Sequence, residues 1–236
     1  MLKQQPYLII SILALSSCGM LQKTAKKEFN DGYYSQKIDG KKERVYLNIV
    51  DETIQIHRTK LQDGKRIIDT LQNPKLIIKE MKYEGNQTIS FGKPSFDIDF
   101  LTIPLKYRSP ANNIPSQLNT NLNGAVYFGY RYDKYVLNHI SNPLGKSERN
   151  INHFGFSFGG FTGIGNTFMS PTNTNNILQQ EYDGIVWSKG ISGIFAVNNF
   201  TVGVALGFDN LLDKNKTSWL YQNKPWFGLA FGLNLN

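Results

Sequence analysis

Two polar side chains with spacing suited to chemistry lie in the most glycine-dense run of the chain, His153-Phe-Gly-Phe-Ser-Phe-Gly-Gly-Phe-Thr-Gly-Ile-Gly165. In an extended strand His153 and Ser157 share a face, about two pleats apart. A serine paired with a histidine is a nucleophile for acyl transfer, so a lipid hydrolase is one reading of the pair. It is the least favoured one, because no acid in the same run would orient the imidazole. The plainer reading is a hydrogen-bonded pair inside the fold. The glycines also suggest a phosphate-cradling loop, but the lysine and the following helix are missing. His57 and His139 have no partners at ligand spacing, so no metal site is expected. No catalytic residue, metal or cofactor is predicted.

The remaining chemically distinctive residue is the single cysteine, Cys18. Lys3 and the apolar run Tyr7-Leu-Ile-Ile-Ser-Ile-Leu-Ala-Leu15 have the layout of a signal peptide, too short for a spanning helix. Leu15-Ser-Ser-Cys18 resembles the bacterial lipoprotein box, in which a thiol takes the diacylglycerol group before cleavage. The expected layout is a lipoprotein signal peptide over residues 1–17 and a lysine-rich lipidated tether over 18–30. The acyl chains are enough for stable anchoring.

The elements that must position everything else alternate in an unusual way. In Phe200-Thr-Val-Gly-Val-Ala-Leu-Gly-Phe208, Phe200, Val202, Val204, Leu206 and Phe208 fall on one face, and Thr201, Gly203, Ala205 and Gly207 on the other. Phe227, Leu229, Phe231 and Leu233 alternate with Gly228, Ala230, Gly232 and Asn234 in the same manner. A soluble sheet sets large residues inward and charges outward. Here the second face is nearly uncharged and tiny, which suits a barrel whose bulky exterior meets lipid and whose small residues crowd a narrow lumen. Tyr130, Tyr132, Tyr135, Trp187 and Trp226 are candidates for the interfacial aromatic belt. Lys189, on the parity of Trp187, is expected to snorkel beside it.

Residues 31–93 lack this pattern. Arg44–Val50 and Thr53–His57 read as a hairpin with Val45, Leu47 and Ile49 inward and Arg44, Asn48, Gln55 and His57 outward, a half-wet sheet. Leu61–Lys75 reads as a loop, and Leu76–Tyr83 and Gln87–Phe91 as further strands. Over 94–236, six membrane-type strands are legible, with outward loops at Met169–Tyr182 and Asp209–Lys224 and a short turn at Asn198-Asn199. Six being few for closure, about eight are expected, with Leu76–Tyr83 and Gln87–Phe91 completing the set. In Phe96–Tyr107 the apolar parity changes after Phe100, which predicts a bulge or a passage between media. Pro104 is awkward in a sheet without edges.

A net charge of +8 raises the question of nucleic acid, but the charges are mixed in sign along the chain, and no nucleic-acid partner is expected. Charged residues make up 19% and aromatics 13%, with 21 glycines, a balance that tilts toward β-structure. The mean hydropathy of -0.34 does not argue against a barrel, since half of each strand is hidden from lipid.

Phe96-Asp-Ile-Asp-Phe-Leu-Thr-Ile-Pro-Leu-Lys-Tyr-Arg108, Gly207-Phe-Asp-Asn-Leu-Leu-Asp213 and Tyr221-Gln-Asn-Lys-Pro-Trp-Phe-Gly-Leu-Ala-Phe-Gly232 resemble outer-membrane β-barrel proteins of the Bacteroidetes. The resemblance implies a fold and a place, with no assigned activity. The expectation is an all-β, small antiparallel up-and-down barrel in the outer membrane, lipid-anchored, with a filled lumen and a structural or interaction role. Its partners would be outer-membrane lipid and a protein met through the loops or the N-terminal module. Two alternatives are a small pore or ligand-holding barrel, and a soluble lipocalin-type binder of an apolar molecule.

Overall fold

The computed structural model describes residues 29–38, 40–50, 53–69, 76–78, 88–111, 114–145, 147–198 and 200–233. Cys18 and the expected signal peptide and tether, up to residue 28, lie outside them. The strands are β1 (Gly32–Ile38), β2 (Lys41–Val50), β3 (Thr53–Gln62), β4 (Lys65–Ile68), β5 (Leu76–Ile78), β6 (Ile89–Arg108), β7 (Gln117–Asn119), β8 (Asn123–Ser141), β9 (Ser147–Met169), β10 (Tyr182–Val197), β11 (Phe200–Leu211) and β12 (Pro225–Leu233). All pair antiparallel in one continuous sheet, so the fold is all-β.

Six strands close on themselves. β6, β8, β9, β10, β11 and β12 pair in order, and β12 returns to β6 through Phe227↔Tyr107 and Leu233↔Phe100. The expected eight strands are not needed, because β6 serves both neighbours with different stretches: Ile89–Thr102 against β8 and Phe100–Arg108 against β12. That stagger supplies the shear by which a narrow ring closes. Of the two candidates for additional ring strands, Leu76–Tyr83 and Gln87–Phe91, the described parts add none: Ile89 to Phe91 are the start of β6 itself, Leu76–Ile78 pairs with β3, and residues 79–87 lie outside the described residues.

Pro104 is resolved by the same strand. Leu229 faces Leu105 and Phe231 faces Thr102, so two steps on β12 span three on β6, a bulge at Ile103–Pro104. The β8 ladder ends at Thr102, and β7 takes up pairing only from Lys106. Proline thus falls where neither neighbour requires its missing N–H. The bulge also corrects the expected parity change after Phe100: Asp97, Asp99, Leu101 and Ile103 all face inward, and the inward set shifts to Lys106 and Arg108 only past Pro104.

The ring has two unlike ends. One carries the connections from Met169 to Tyr182 and from Leu211 to Pro225, with a small core of Ala111, Met169, Val186, Leu211, Trp219 and Tyr221. The other carries the two-residue turn that follows Val197, where Asn198 takes a positive φ of 48° and Val197 pairs with Phe200. At this second end β6, β8 and β9 run on past the ring into the N-terminal sheet. β1 joins β6 at Ser35↔Gly92 and Gln36↔Phe91, and β2 to β5 follow outward from it. Its core of Tyr34, Ile38, Val45, Leu47, Ile54 and Ile56 is completed by Phe91, Tyr135 and Leu137 from the long strands. The stretch Leu61–Lys75, expected as a loop, is in part a hairpin. Asp63 and Gly64, with φ of 50° and 72°, turn β3 into β4, the backbone an Asp-Gly pair readily adopts.

Candidate functional site

Outside, the ring is a belt of bulky apolar side chains. Val202, Val204, Phe208, Phe227, Leu229 and Phe231 are exposed, and Leu206 is half-buried on the same parity. Leu233 occupies its place in the ladder opposite Phe100, though its side chain is outside the described residues. Phe96, Phe128, Phe154, Phe156, Phe158, Ile164, Ile185, Ile191 and Phe195 extend the belt around the other strands. From Ile185 to Val197 the outward face of β10 runs twelve residues, about 40 Å along the strand. At the tilt usual for barrel strands this spans about 28 Å. On that face Lys189 is the charged residue, and its ammonium lies 4.4 Å from the Trp187 ring centroid. The pairing expected between them is present.

Inside, the order is reversed. Glycines and small residues line the wall, and the space they leave is taken by a few large polar or aromatic groups. Any side chain at Gly207 would run into the Trp226 ring at 2.4 Å, and one at Gly155 would meet the Arg131 guanidinium at 2.9 Å. Gly207 and Gly155 are therefore niches for neighbouring side chains, while Gly159, Gly163 and Gly190 sit where the backbone of the next strand comes too close for any side chain, two reasons to keep glycine despite its entropic cost.

Two polar clusters stack along the interior. Toward the loop end, Asp209, with 0% exposure, accepts from Lys106 at 3.0 Å, from Ser188 at 2.6 Å and from Arg108. Lys106 also donates to Asn123 at 2.9 Å and lies 4.4 Å from the centroid of the Trp226 ring. Arg108 sits over Trp219 and Tyr221, at 5.0 and 5.3 Å, so the last loop closes this end with aromatic rings on a guanidinium. Toward the N-terminal sheet, Arg131 donates to Asp133 at 2.8 Å and lies 3.9 Å from Asp97. Asp133 in turn meets His153 Nε2 at 2.7 Å. The side chains of these pairs are at most 6% exposed, a setting in which breaking one partner is costly.

The hydrolase constellation is not assembled. Ser157 is hydrogen-bonded to the Tyr127 hydroxyl at 2.8 Å, and His153 faces Asp133. The acid that the run itself lacks does exist, but it comes from β8, across the ladder pair Tyr135↔His153 and two residues back along the strand. What the geometry makes is a structural ion network.

Of the aromatic belt candidates, Tyr130, Tyr132 and Trp187 face outward and are exposed. Trp226 and Tyr135 do not belong there. Trp226 is fully buried in the ring interior because it shares parity with Gly228 and Ala230, whose small size opens the space for it. Tyr135, 4% exposed, shares parity with Arg131 and Asp133 and joins the N-terminal core.

Among the described residues no helix is long and apolar enough to cross a membrane. No family model, no curated protein and no solved structure matches the chain.

Proposed function

We propose that this chain is a lipid-anchored β-barrel of a bacterial outer membrane, with a plugged lumen and an interaction role carried by its loops and N-terminal sheet. One observation carries the reading: Val204, with 64% exposure, and its bulky neighbours form a nearly uncharged exterior, while six charged side chains at or below 2% exposure (Asp97, Asp99, Lys106, Arg108, Arg131 and Asp209) lie within. In water this arrangement would expose a contiguous apolar patch far beyond what soluble proteins carry. In hydrocarbon it is the favourable arrangement, since the ring pairs its backbone groups and leaves no edge. Cys18 would add the lipid anchor, and the resemblance to outer-membrane barrels of the Bacteroidetes accords with both. The loop end then faces outward, with the N-terminal sheet on the periplasmic side.

The pore reading is less well supported, because Trp226, Tyr127, Lys106 and Arg131 are all at or below 2% exposure, whereas groups lining a water channel would be wet. A lipocalin-type carrier needs an apolar cavity with a polar exterior, and here the exterior is a belt of exposed Phe, Val, Leu and Ile while the interior is filled by Trp226, Phe161 and the ion pairs.

The test is a spin-label scan of the refolded full chain in phospholipid vesicles, along Phe200–Phe208. Labels at Val202 and Val204 should collide with oxygen and not with a water-soluble nickel complex, and the protein should resist carbonate extraction. Nickel access at both positions together with release by carbonate would overturn the reading.

A further inference from the structure

We propose that the outer face of the sheet, where it leaves the ring, binds the phosphate of an anionic phospholipid. The proposal rests on the membrane reading above and gives it a specific lipid contact. A depression of about 270 Å³ opens on this face, lined by Ser35, Lys37, Lys42, Ser90, Tyr132 and Lys134. Its residues come from four strands by register. Arg44, Ser35, Gly92 and Lys134 form one cross-strand row through β2, β1, β6 and β8. Two residues further along, Lys37 faces Lys42 directly.

Three features point to an anion. First, among the described residues the charges on this face have one sign. Lys37, Lys42, Arg44 and Lys134 face outward, while two carboxylates of the same strands, Glu43 and Asp133, take the opposite parity and are engaged by Arg58 and by Arg131 with His153. Second, directly opposed lysines repel, and a β-pair keeps such a mismatch at a cost that a bound anion would remove. Third, Ser35 and Ser90 add hydroxyl donors to the lysine ammoniums, a mixed set of donors that a phosphate oxygen accepts from.

The position selects a lipid as the source. Tyr132 forms one wall of the depression and belongs to the outward row of Phe128 and Tyr130, so the apolar belt runs directly into it. Lys42 lies 5.6 Å from the Tyr132 ring centroid. Gly92 forms the floor, where any side chain would meet the Tyr132 hydroxyl at 1.9 Å. From Phe128 to Lys134 is six residues, about 20 Å along the strand, the path from hydrocarbon to headgroup for a tilted strand. Acyl chains would lie on the belt with their phosphate on the lysines.

The experiment is native mass spectrometry of the full chain folded in detergent micelles, with phosphatidylglycerol and phosphatidylcholine added in competition. The wild type should retain one phosphatidylglycerol with at least tenfold preference. The triple variant Lys37→Gln, Lys42→Gln, Lys134→Gln should lose it, at about fivefold per lysine. The control Lys214→Gln, Lys216→Gln, at the loop end, should keep it. Equal retention of the two lipids by the wild type, or equal loss in the control, overturns the site. Displacement of the lipid by inorganic phosphate at equal concentration would assign the depression to the free ion and overturn the lipid source. Heat-modifiable mobility is read on every sample. Wild-type protein that folds without lipid preference defeats this proposal alone, whereas protein that never acquires heat-modifiable mobility defeats the membrane reading beneath it.

Discussion

β8 passes through two regions with opposite rules and keeps one register throughout. In the ring, Phe128, Tyr130 and Tyr132 point out while Gly129, Arg131 and Asp133 point in. Beyond it, Tyr135 and Leu137 point in and Lys134 points out. No bulge separates the two stretches in its pairing with β9, which runs unbroken from Asn123↔Gly165 to Ser141↔Ser147. The backbone is therefore indifferent to the change; what reverses is the kind of side chain each face carries. The N-terminal sheet buries Val45, Leu47, Ile54 and Ile56 as a water-facing sheet must, and the ring turns the same residue classes outward. The comparison predicts that equivalent substitutions have unequal effects in the two regions.

The largest difference concerns ion pairs. Asp209→Ala leaves Lys106 and Arg108 buried without their carboxylate and should cost about 3–5 kcal/mol. Glu43→Gln breaks a 3.4 Å pair with Arg58 whose side chains are 42% and 35% exposed, and should cost less than about 1 kcal/mol. Urea titration of both variants in the same micelles measures the gap. Equal effects would mean that water reaches Asp209 and the interior is not closed.

The next difference is on the outward faces. Val204→Lys places a charge near the middle of the belt and should cost about 2–4 kcal/mol in vesicles. His57→Lys, on the outward face of the N-terminal sheet, should stay within about 0.5 kcal/mol. If Val204→Lys is also silent in vesicles, the belt does not face hydrocarbon.

Much of this contrast is legible in the residues, and the exceptions share one cause. The strands Phe200–Phe208 and Pro225–Leu233 and the connections ending at Tyr182 and Pro225 follow from alternation and turn residues, which act over a few positions. The inward place of Trp226 is legible too, since its parity with Gly228 outranks the habit of tryptophan to sit at interfaces. Asp209 with Lys106 is not, because 103 residues separate them and only the closure of β12 on β6 brings them together. Ring size escaped for the same reason: it is set by the stagger of β6, which no single strand encodes. Asp133 as the acid beside His153 is not legible along one strand, because the contact crosses from β9 to β8.

A third, smaller difference concerns space. A methyl group at Gly159 would meet the Phe128 carbonyl oxygen at 2.1 Å, a backbone atom that cannot step aside. Gly159→Ala should cost about 1–3 kcal/mol by overpacking. In the N-terminal module, a side chain at Gly40 would meet nothing within 4 Å, and the cost of Gly40→Asn comes from its φ of 81° alone, which asparagine tolerates. Thermal unfolding of the two variants separates crowding from backbone strain.

The smallest effect is the one that isolates the N-terminal core. The Tyr34 hydroxyl donates to the Asn30 carbonyl at 2.7 Å, and burial pushes its pKa up from 10.0 to about 12. The neutral phenol is the form the fold favours. The stability linked to this shift is therefore complete below the ordinary value and is lost as pH rises toward about 12. Tyr34→Phe removes the hydrogen bond at a cost of about 0.5–1.5 kcal/mol at neutral pH. In return it removes one source of alkaline loss, so the variant should lose less stability than the wild type between pH 10.0 and about 12. The difference in phenolate absorbance between wild type and Tyr34→Phe reports the N-terminal core, and tryptophan fluorescence reports the ring and its loops, to which Trp187, Trp219 and Trp226 all belong. The difference signal should rise while the tryptophan signal holds, because the module can open at its own core without parting the six paired strands. If both signals change at one pH, the two regions unfold as one body. The inversion along β8 would then mark a change of medium within a single cooperative unit.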